Sequence, residues 1–155
     1  MGRDAAERIR AFAAEAVSGA RLPARAGRLV AVGWATVETE RAIGELALAL
    51  GIAETDFRPA QGSTALGASC LVVDIPLPEG VALAVIEPAT EGRIAAGLAR
   101  WDEGPLVAWY EAATPASDAP PGIPGPFGPE RLVAGDPLTG PHRLLVVGGP
   151  GTIRA

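Results

Sequence analysis

The sequence predicts an α+β fold: one βαβββ module with a cupped, mixed sheet, an N-terminal helix, and a proline-rich C-terminal tail. Two observations lead to this prediction. Strand-like and helical segments follow one another without a break between Arg28 and Pro88. The composition then changes, because nine of the 15 prolines lie after residue 112, where no helical period is present.

The module begins with Arg28 to Ala35, a run of branched and small apolar residues that suits a strand buried on both faces. A helix of about three turns follows. Thr36 is its predicted N-cap, and Gly51 is its predicted left-handed C-terminal residue. The apolar residues of this helix recur at three- and four-residue spacing: Ala42, Ile43, Leu46, Ala47 and Leu50.

Two more strands complete the module. They are predicted at Ala68 to Ile75 and at Val81 to Glu87, and the prolines and glycine between them indicate a chain reversal. The segment Asp56 to Ala60 leaves room for a further strand. The predicted order is therefore β, α, β, β, with an optional strand directly after the helix.

The segments on either side of the module extend it. Asp4 to Val17 has helical periodicity, with Asp4 as the predicted N-cap and Ala5, Ile9, Phe12, Ala13 and Ala16 on the apolar face. The residues from Arg21 to Gly27 are predicted to form a loop. Beyond the module, Thr90 to Trp101 reads as a short helix and Pro105 to Ala112 as a strand.

The tail, residues 113–155, is predicted to wrap the module without forming a second core. Short edge strands are expected at Arg131 to Ala134 and at Arg143 to Val147. The stretch Ala113 to Pro129 is expected to extend over the surface. We therefore predict a single domain, made of residues 1–27, the core at 28–112, and the tail.

Composition excludes several functions. The net charge of −5 carries no basic block, which argues against nucleic-acid binding. No apolar run reaches the roughly 20 residues of a membrane span, and charged residues interrupt the N-terminal apolar stretch where a signal peptide would need continuity. A cytoplasmic location is the expectation. Cys70 is the one cysteine, so no internal disulfide can form, and a buried, inert thiol is expected.

Three segments resemble the first module of the vicinal oxygen chelate superfamily, the glyoxalase, bleomycin-resistance and methylmalonyl-CoA epimerase type. They are GWATVETERAIGELALALG, ASCLVVDIP and LAVIEPATEGRIAAGLARWDEGP. The resemblance covers about residues 28 to 112 and includes a strand that ends in Glu87-Pro88. It implies paired βαβββ modules that curl into a cup around a metal ion and a small substrate.

The same resemblance places the family's metal ligands on Ala31, Ala84 and Val107. None of these side chains can donate a lone pair to a divalent cation. We therefore expect no metal and no other cofactor. The second module, which in the family brings its own helix, is expected to be incomplete.

Few polar residues are candidates for chemistry. Glu111 and Asp74 lie in or at the ends of strands and are the candidate acid/base residues, with Trp109 as a stacking wall for a substrate. Ala31, Ala84 and Val107 are expected to line the substrate side. His142, the one histidine, is expected at a turn or on the surface.

Two classes of function remain open. In the first, the protein is a metal-free member of the family that binds a small organic molecule and isomerises or cleaves it. In the second, the cup is filled by its own side chains or by a second subunit, and the protein is a non-catalytic binding or structural module. A homodimer is expected in either case, because one module leaves an apolar strip near Trp34, Leu106 and Trp109.

Overall fold

The computed structural model describes residues 2–18, 26–75, 80–89, 92–112, 122–134 and 141–147. The predicted α+β fold is confirmed. Three helices are present, α1 (Gly2–Ala16), α2 (Thr39–Leu50) and α3 (Arg93–Trp101), with a 3-10 turn at Glu54–Asp56. The strands are β1 (Ala26–Ala35), β2 (Arg58–Ser63), β3 (Ala68–Asp74), β4 (Ala82–Pro88), β5 (Gly104–Ala112), β6 (Glu130–Ala134) and β7 (His142–Val146).

All these strands form one mixed sheet in the order β2-β3-β4-β1-β5-β7-β6. The parallel pair β1 and β4 is central to the predicted module, and β3 pairs antiparallel with both β4 and β2. Helix α2 carries the chain from β1 to the edge strand β2, and β4 returns to lie beside β1. The βαβββ arrangement, including the optional strand after the helix, is therefore present.

The tail contributes more to the sheet than the sequence predicts. Both predicted strands are present as β6 and β7, but only β6 is an edge strand. Strand β7 lies between β5, to which it is parallel, and β6, to which it is antiparallel. Its residues Leu144, Leu145 and Val146 are all buried, as both faces of an interior strand must be. The expectation of two edge strands is wrong for β7 for this reason.

Strands β5, β7 and β6 repeat the pairing directions of β1, β4 and β3, so the tail builds part of a second module. The described residues between β5 and β6 contain no helix. Helix α1 instead packs beside α2 and against β5, and Tyr110 of β5 donates a hydrogen bond to the Ala16 carbonyl at 2.7 Å. The N-terminal helix thus covers the sheet where a second-module helix would be needed.

The two faces of the sheet bury separate clusters. On the helix face, Val32, Leu83 and Tyr110 pack with Ile9 of α1 and Leu46 of α2. On the opposite face, called the inner face below, the buried residues are mostly small on β1 and β4 and larger on the strands of the second half. They include Ala31, Ala35, Cys70, Ala84, Ile86, Val107, Trp109, Leu144 and Val146, together with Leu66 and Ile94 from outside the sheet.

Two predicted helix starts are wrong. Helix α2 begins at Thr39 with Glu38 as the N-cap, and Thr36 stays outside the helix, where its hydroxyl accepts a hydrogen bond from the Glu38 N–H. Helix α1 begins at Gly2, so Asp4 lies inside its first turn. The predicted left-handed Gly51 is confirmed, with φ of 71°. Within the described part of the chain, no helix has the length and hydropathy of a membrane span.

Candidate functional site

The inner face lies inside a curled sheet, because the two edge strands meet. Ser63 at the end of β2 donates a hydrogen bond from Oγ to Glu130 Oε2 of β6 at 2.5 Å. The N–H of Thr64 donates to the Pro124 carbonyl at 3.1 Å, which fastens the same two edges. A sheet whose opposite edges touch must enclose one face, and the enclosed face is the one that carries Ala31, Ala84 and Trp109.

The edges meet with a stagger. Ser63 pairs with Ala68 at the start of β3, while Glu130 pairs with Val146, next to Glu111 at the end of β5. The contact therefore joins opposite ends of the sheet. Such a displacement is expected when tilted strands curl toward closure.

Glu130 is the ionisable group at the centre of the enclosed space. Its side chain is fully buried and accepts three hydrogen bonds, from Ser63 Oγ, from Trp109 Nε1 at 2.8 Å, and from the Ala65 N–H. Burial raises the pKa of the Glu130 carboxyl above its ordinary value, and the three donors offset part of that effect. All three of these donors are neutral groups.

Residues 122–129, called the cover below, lie against this carboxyl. Ile123 and Glu130 exchange two backbone hydrogen bonds, at 2.8 and 2.9 Å. The Phe127 ring packs edge-on against Trp109 with ring centroids 5.2 Å apart. Gly125 approaches so closely that a Cβ at this position would stand 2.0 Å from Glu130 Oε1. The cover closes the enclosed space with groups that fit only because Gly125 has no side chain.

Trp109 is placed by a glycine on the neighbouring strand. A Cβ at Gly33 would stand 2.9 Å from the Trp109 ring and 2.9 Å from Val107 Cβ, so only glycine lets the indole lie across β1. Trp109 is 0% exposed and covered by its own chain. It therefore offers no free face as a stacking wall in this conformation.

The predicted apolar strip for a dimer is also covered within one chain. Trp34 is 4% exposed, Leu106 is 6% exposed and Trp109 is 0% exposed. Phe127 packs on Trp109, and Arg8 of α1 stacks over the Trp34 ring at 5.2 Å. The expectation that these residues form an exposed strip is wrong, because the tail and the first helix already bury them.

The other residues expected to line the substrate side are on the inner face. Gly33 pairs with both Ala84 and Val107, and Ala31 stands two residues away on the same strand. All three predicted positions are fully buried. Gly33, which lies between them in the sheet, leaves the room that the Trp109 ring occupies.

The two predicted acid/base residues are far apart. Asp74 at the end of β3 is exposed, and Glu111 near the end of β5 is half-buried with Arg28 at 4.0 Å. Three strand spacings separate β3 from β5, which is roughly 14 Å. By the alternation of side chains along β3 and β5, both carboxylates are on the inner-face side of the sheet. The structure does not bring them together as a pair.

Two other titratable residues stand inside. Cys70 is buried on the inner face, and loss of solvent raises the pKa of its thiol to about 12, so it is protonated and unreactive at neutral pH. His142 was expected at a turn or on the surface. It is instead buried on β7 beside Val107, because β7 lies within the sheet.

The donor set of the inner face does not form a metal centre in the part of the chain that the structure describes. No three His, Cys, Asp or Glu side chains there converge on a point where an ion could bind. The three positions aligned with metal ligands carry hydrocarbon side chains, and Glu130 directs its oxygens to hydrogen-bond donors.

A second polar cluster lies outside the enclosed space, at the turn between α3 and β5. The Glu103 carboxylate accepts hydrogen bonds from Trp34 Nε1 at 3.2 Å, from Thr36 Oγ1 at 2.9 Å, and from the Arg41 guanidinium. The neighbouring Asp102 has a φ of 65°, a left-handed conformation that a non-glycine residue adopts at some cost. These contacts tie α2 and β1 to the turn that starts β5.

Sequence reasoning missed Glu130 and Ser63. Glu130 stands in the pattern Pro-Glu-Arg-Leu-Val at the start of a predicted edge strand, where a carboxylate normally faces water. Ser63 stands next to a turn. Nothing local distinguishes these two residues, since their role arises from a contact between opposite edges of the sheet.

The curled mixed sheet, the parallel β1 and β4 pair and the partial second module are the features of a glyoxalase-like fold. A methylmalonyl-CoA epimerase from Streptomyces coelicolor, solved in complex with 2-nitronate-propionyl-CoA, is similar with a TM-score of 0.59 and 16% identity. That match covers 81% of this chain and 99% of the epimerase. The predicted fold resemblance is confirmed.

Other solved structures agree. Methylmalonyl-CoA epimerase from Mycobacterium tuberculosis is similar with a TM-score of 0.60 and 15% identity, over 84% of this chain and 94% of that one. A hypothetical protein from Bacillus halodurans matches with a TM-score of 0.54 and 11% identity, over 76% and 91% of the two chains. No family model and no curated protein matches the sequence.

Proposed function

We propose that this chain is a metal-free, glyoxalase-like protein that binds a small organic molecule on the inner face. The observation that carries the proposal is the buried Glu130 carboxyl. A charge inside an apolar cluster is costly, and carboxyls with raised pKa values inside concave faces are typical of functional sites. The fold supports the same conclusion, since a neighbour of this fold was solved with a CoA compound.

The residues suggest how a ligand would be held. Glu130 presents acceptor oxygens, Ser63 a hydroxyl, and Trp109 an apolar ring and an N–H, all within one hydrogen-bonded group. A molecule with a carbonyl or hydroxyl group attached to an apolar body fits this chemistry. In the catalytic form of the proposal, an isomerase or lyase, Glu130 would take up and return a proton. Glu111 and Asp74 stay proposals for a molecule bound nearer the rim.

The second candidate is a non-catalytic binding or structural module with a self-filled cup. Complete burial of Trp109 beneath Phe127 and Glu130 favours this candidate, because the chain already occupies the place where a ligand would lie. The two candidates differ in one measurable property. A ligand-binding protein exchanges those internal contacts for ligand contacts, whereas a self-filled module does not.

Thermal unfolding with methylmalonyl-CoA, propionyl-CoA and their free acids tests the proposal. A ligand of the folded chain raises Tm in a saturable way, by roughly RT ln(1 + [L]/Kd) in free energy. We expect saturation with at least one of these compounds, and its loss in Glu130→Gln. Catalysis would appear as exchange of the α-proton of the bound acyl group in deuterium oxide. Absence of saturation with all four compounds favours the self-filled module.

The metal-free state and the homodimer stay predictions. Elemental analysis should find no stoichiometric divalent metal, because Ala31, Ala84 and Val107 stand at the aligned ligand positions. For the dimer, the remaining support is the edge of β2, which has one strand partner among the described residues. Light scattering should give twice the mass of the 15.7 kDa chain, and a well-folded monomer would contradict the dimer.

A further inference from the structure

We propose that the contact between the edge strands β2 and β6 is a gate. The curled sheet opens at this seam, formed by Ser63 to Ala65 on one side and by Pro124 and Glu130 on the other, and the cover moves away from the inner face. This inference rests on the proposed function, since it gives the route by which a small molecule reaches Glu130 and Trp109. In the closed state both residues are fully buried.

The seam is held by fewer contacts than any neighbouring pair of strands. Among the described residues, β2 and β6 form no ladder, and the seam consists of the bonds from Ser63 Oγ, the Thr64 N–H and the Ala65 N–H. By contrast, β3 and β4 pair continuously from Ala68 to Asp74. Elements with few hydrogen bonds open at lower free energy than the whole domain. The pair of strands joined by the fewest hydrogen bonds therefore lies next to the buried Glu130 carboxyl.

Gly125 offers a way to disturb the closed state without removing any hydrogen-bonding group. A methyl group at this position would overlap Glu130 Oε1, so the cover must shift in Gly125→Ala. Gly44 in α2 provides the matched control. A Cβ there meets only the Glu54 carboxylate, with Oε2 at 3.6 Å, which is an ordinary contact. Both substitutions add one methyl group, but only the first falls on the seam.

Cys70 provides the probe. It is the one cysteine of the chain, it lies on the inner face, and its thiol accepts a hydrogen bond from the backbone of Ser63 at the seam. A thiol reagent such as dithiodipyridine can reach it only when the enclosed space opens. The labelling rate of Cys70 in the folded full-length chain therefore reports the opening.

The experiment compares labelling rates of wild type, Ser63→Ala, Gly125→Ala and Gly44→Ala over a series of low urea concentrations. Wild-type labelling should depend on urea less steeply than global unfolding, because a local opening exposes less surface. We expect Ser63→Ala to label roughly five- to tenfold faster, the change that the loss of about one buried hydrogen bond makes to an opening equilibrium. Gly125→Ala should accelerate labelling by at least as much, because its methyl group overlaps Glu130 Oε1 in the closed state. Gly44→Ala should label at the wild-type rate.

Two results would overturn the gate. One is a urea dependence of Cys70 labelling equal to that of global unfolding. The other is acceleration in the seam variants no greater than their loss of global stability requires. If the gate results hold but no compound raises Tm in a saturable way, the gate stands and the proposed ligand site falls. A compound that binds with saturation and leaves the rate of labelling unchanged would show that ligands do not use the gate.

Discussion

Glu103 and Glu130 are two carboxylates with nearly the same hydrogen-bond donors and opposite surroundings. Each accepts a bond from a tryptophan Nε1 and one from a hydroxyl: Trp34 and Thr36 in the first case, Trp109 and Ser63 in the second. The third donor differs. For Glu103 it is the exposed Arg41 guanidinium, and for Glu130 it is the Ala65 N–H inside the curled sheet.

The comparison shows which part of the environment decides the cost of a carboxylate. Glu103 keeps a quarter of its side chain in water and has a cation, so its charge is stabilised where it stands. Glu130 is fully buried and its three described donors are neutral, and burial raises the pKa of its carboxyl although it accepts as many hydrogen bonds as Glu103. Hydrogen bonds alone therefore do not replace solvent and a counter-charge. A group kept at such a cost is a candidate for function.

The largest expected effect is that of removing the inner carboxylate. Glu130→Ala leaves Trp109 Nε1 and Ser63 Oγ without their acceptor in a buried space, and it opens a cavity beneath the cover. Together these changes should reduce the free energy of unfolding by about 3 to 4 kcal/mol. Urea denaturation measures this loss. Glu103→Ala is the matched control and should lose about 1 to 2 kcal/mol, because water can replace the missing acceptor. Equal losses would contradict the contrast between the two sites.

The next effect concerns pH. Because the folded-state pKa of Glu130 is raised, the folded chain binds this proton more tightly than the unfolded chain does. The stability that protonation of Glu130 contributes is fully present below the ordinary glutamate pKa of about 4.3. It is lost as the pH rises through the raised pKa of the folded state. Relative to Glu130→Gln, wild type should therefore become less stable over that window. Denaturation curves of both proteins at several pH values measure the difference, and a constant difference would contradict a raised pKa.

Local apolar patterns in the sequence were sufficient to predict the βαβββ module. The closure of the sheet was not predicted, because it depends on contacts between residues that are far apart in the chain. The apolar periodicity around Leu46 and the position of Gly51 located α2, and the run ending at Ala35 located β1. The interior placement of β7 was missed, since a short strand within a proline-rich segment is typical of a sheet edge. Its burial depends on β6, which lies beyond it in the sheet.

The candidate site was predicted less well than the fold for the same reason. The inner-face positions Ala31, Ala84 and Val107 followed from the family resemblance, which rests on short segments that are local in the chain. The residues that carry its polarity, Ser63 and Glu130, are separated by 67 positions in the chain and by the whole width of the sheet. Only the curl of the sheet brings them together, and sequence alternation contains no measure of curl.

The smallest expected effect is the stability change caused by substituting Glu103, and it should depend on salt. Glu103→Gln keeps one oxygen acceptor, for Trp34 Nε1, and its amide NH2 can donate to Thr36 Oγ1, but it removes the attraction to Arg41, an exposed ion pair of the kind that contributes little and only at low ionic strength. Added salt screens the wild-type pair and not the amide, so the stability difference should shrink toward zero by about 1 M salt. Glu130→Gln provides the contrast, because no cation faces that carboxyl in its hydrogen-bonded group and its effect should change little with salt. Denaturation at low and high salt for both variants measures the two dependences, and a salt-sensitive Glu130 effect would mean that an opposite charge acts on the enclosed carboxyl.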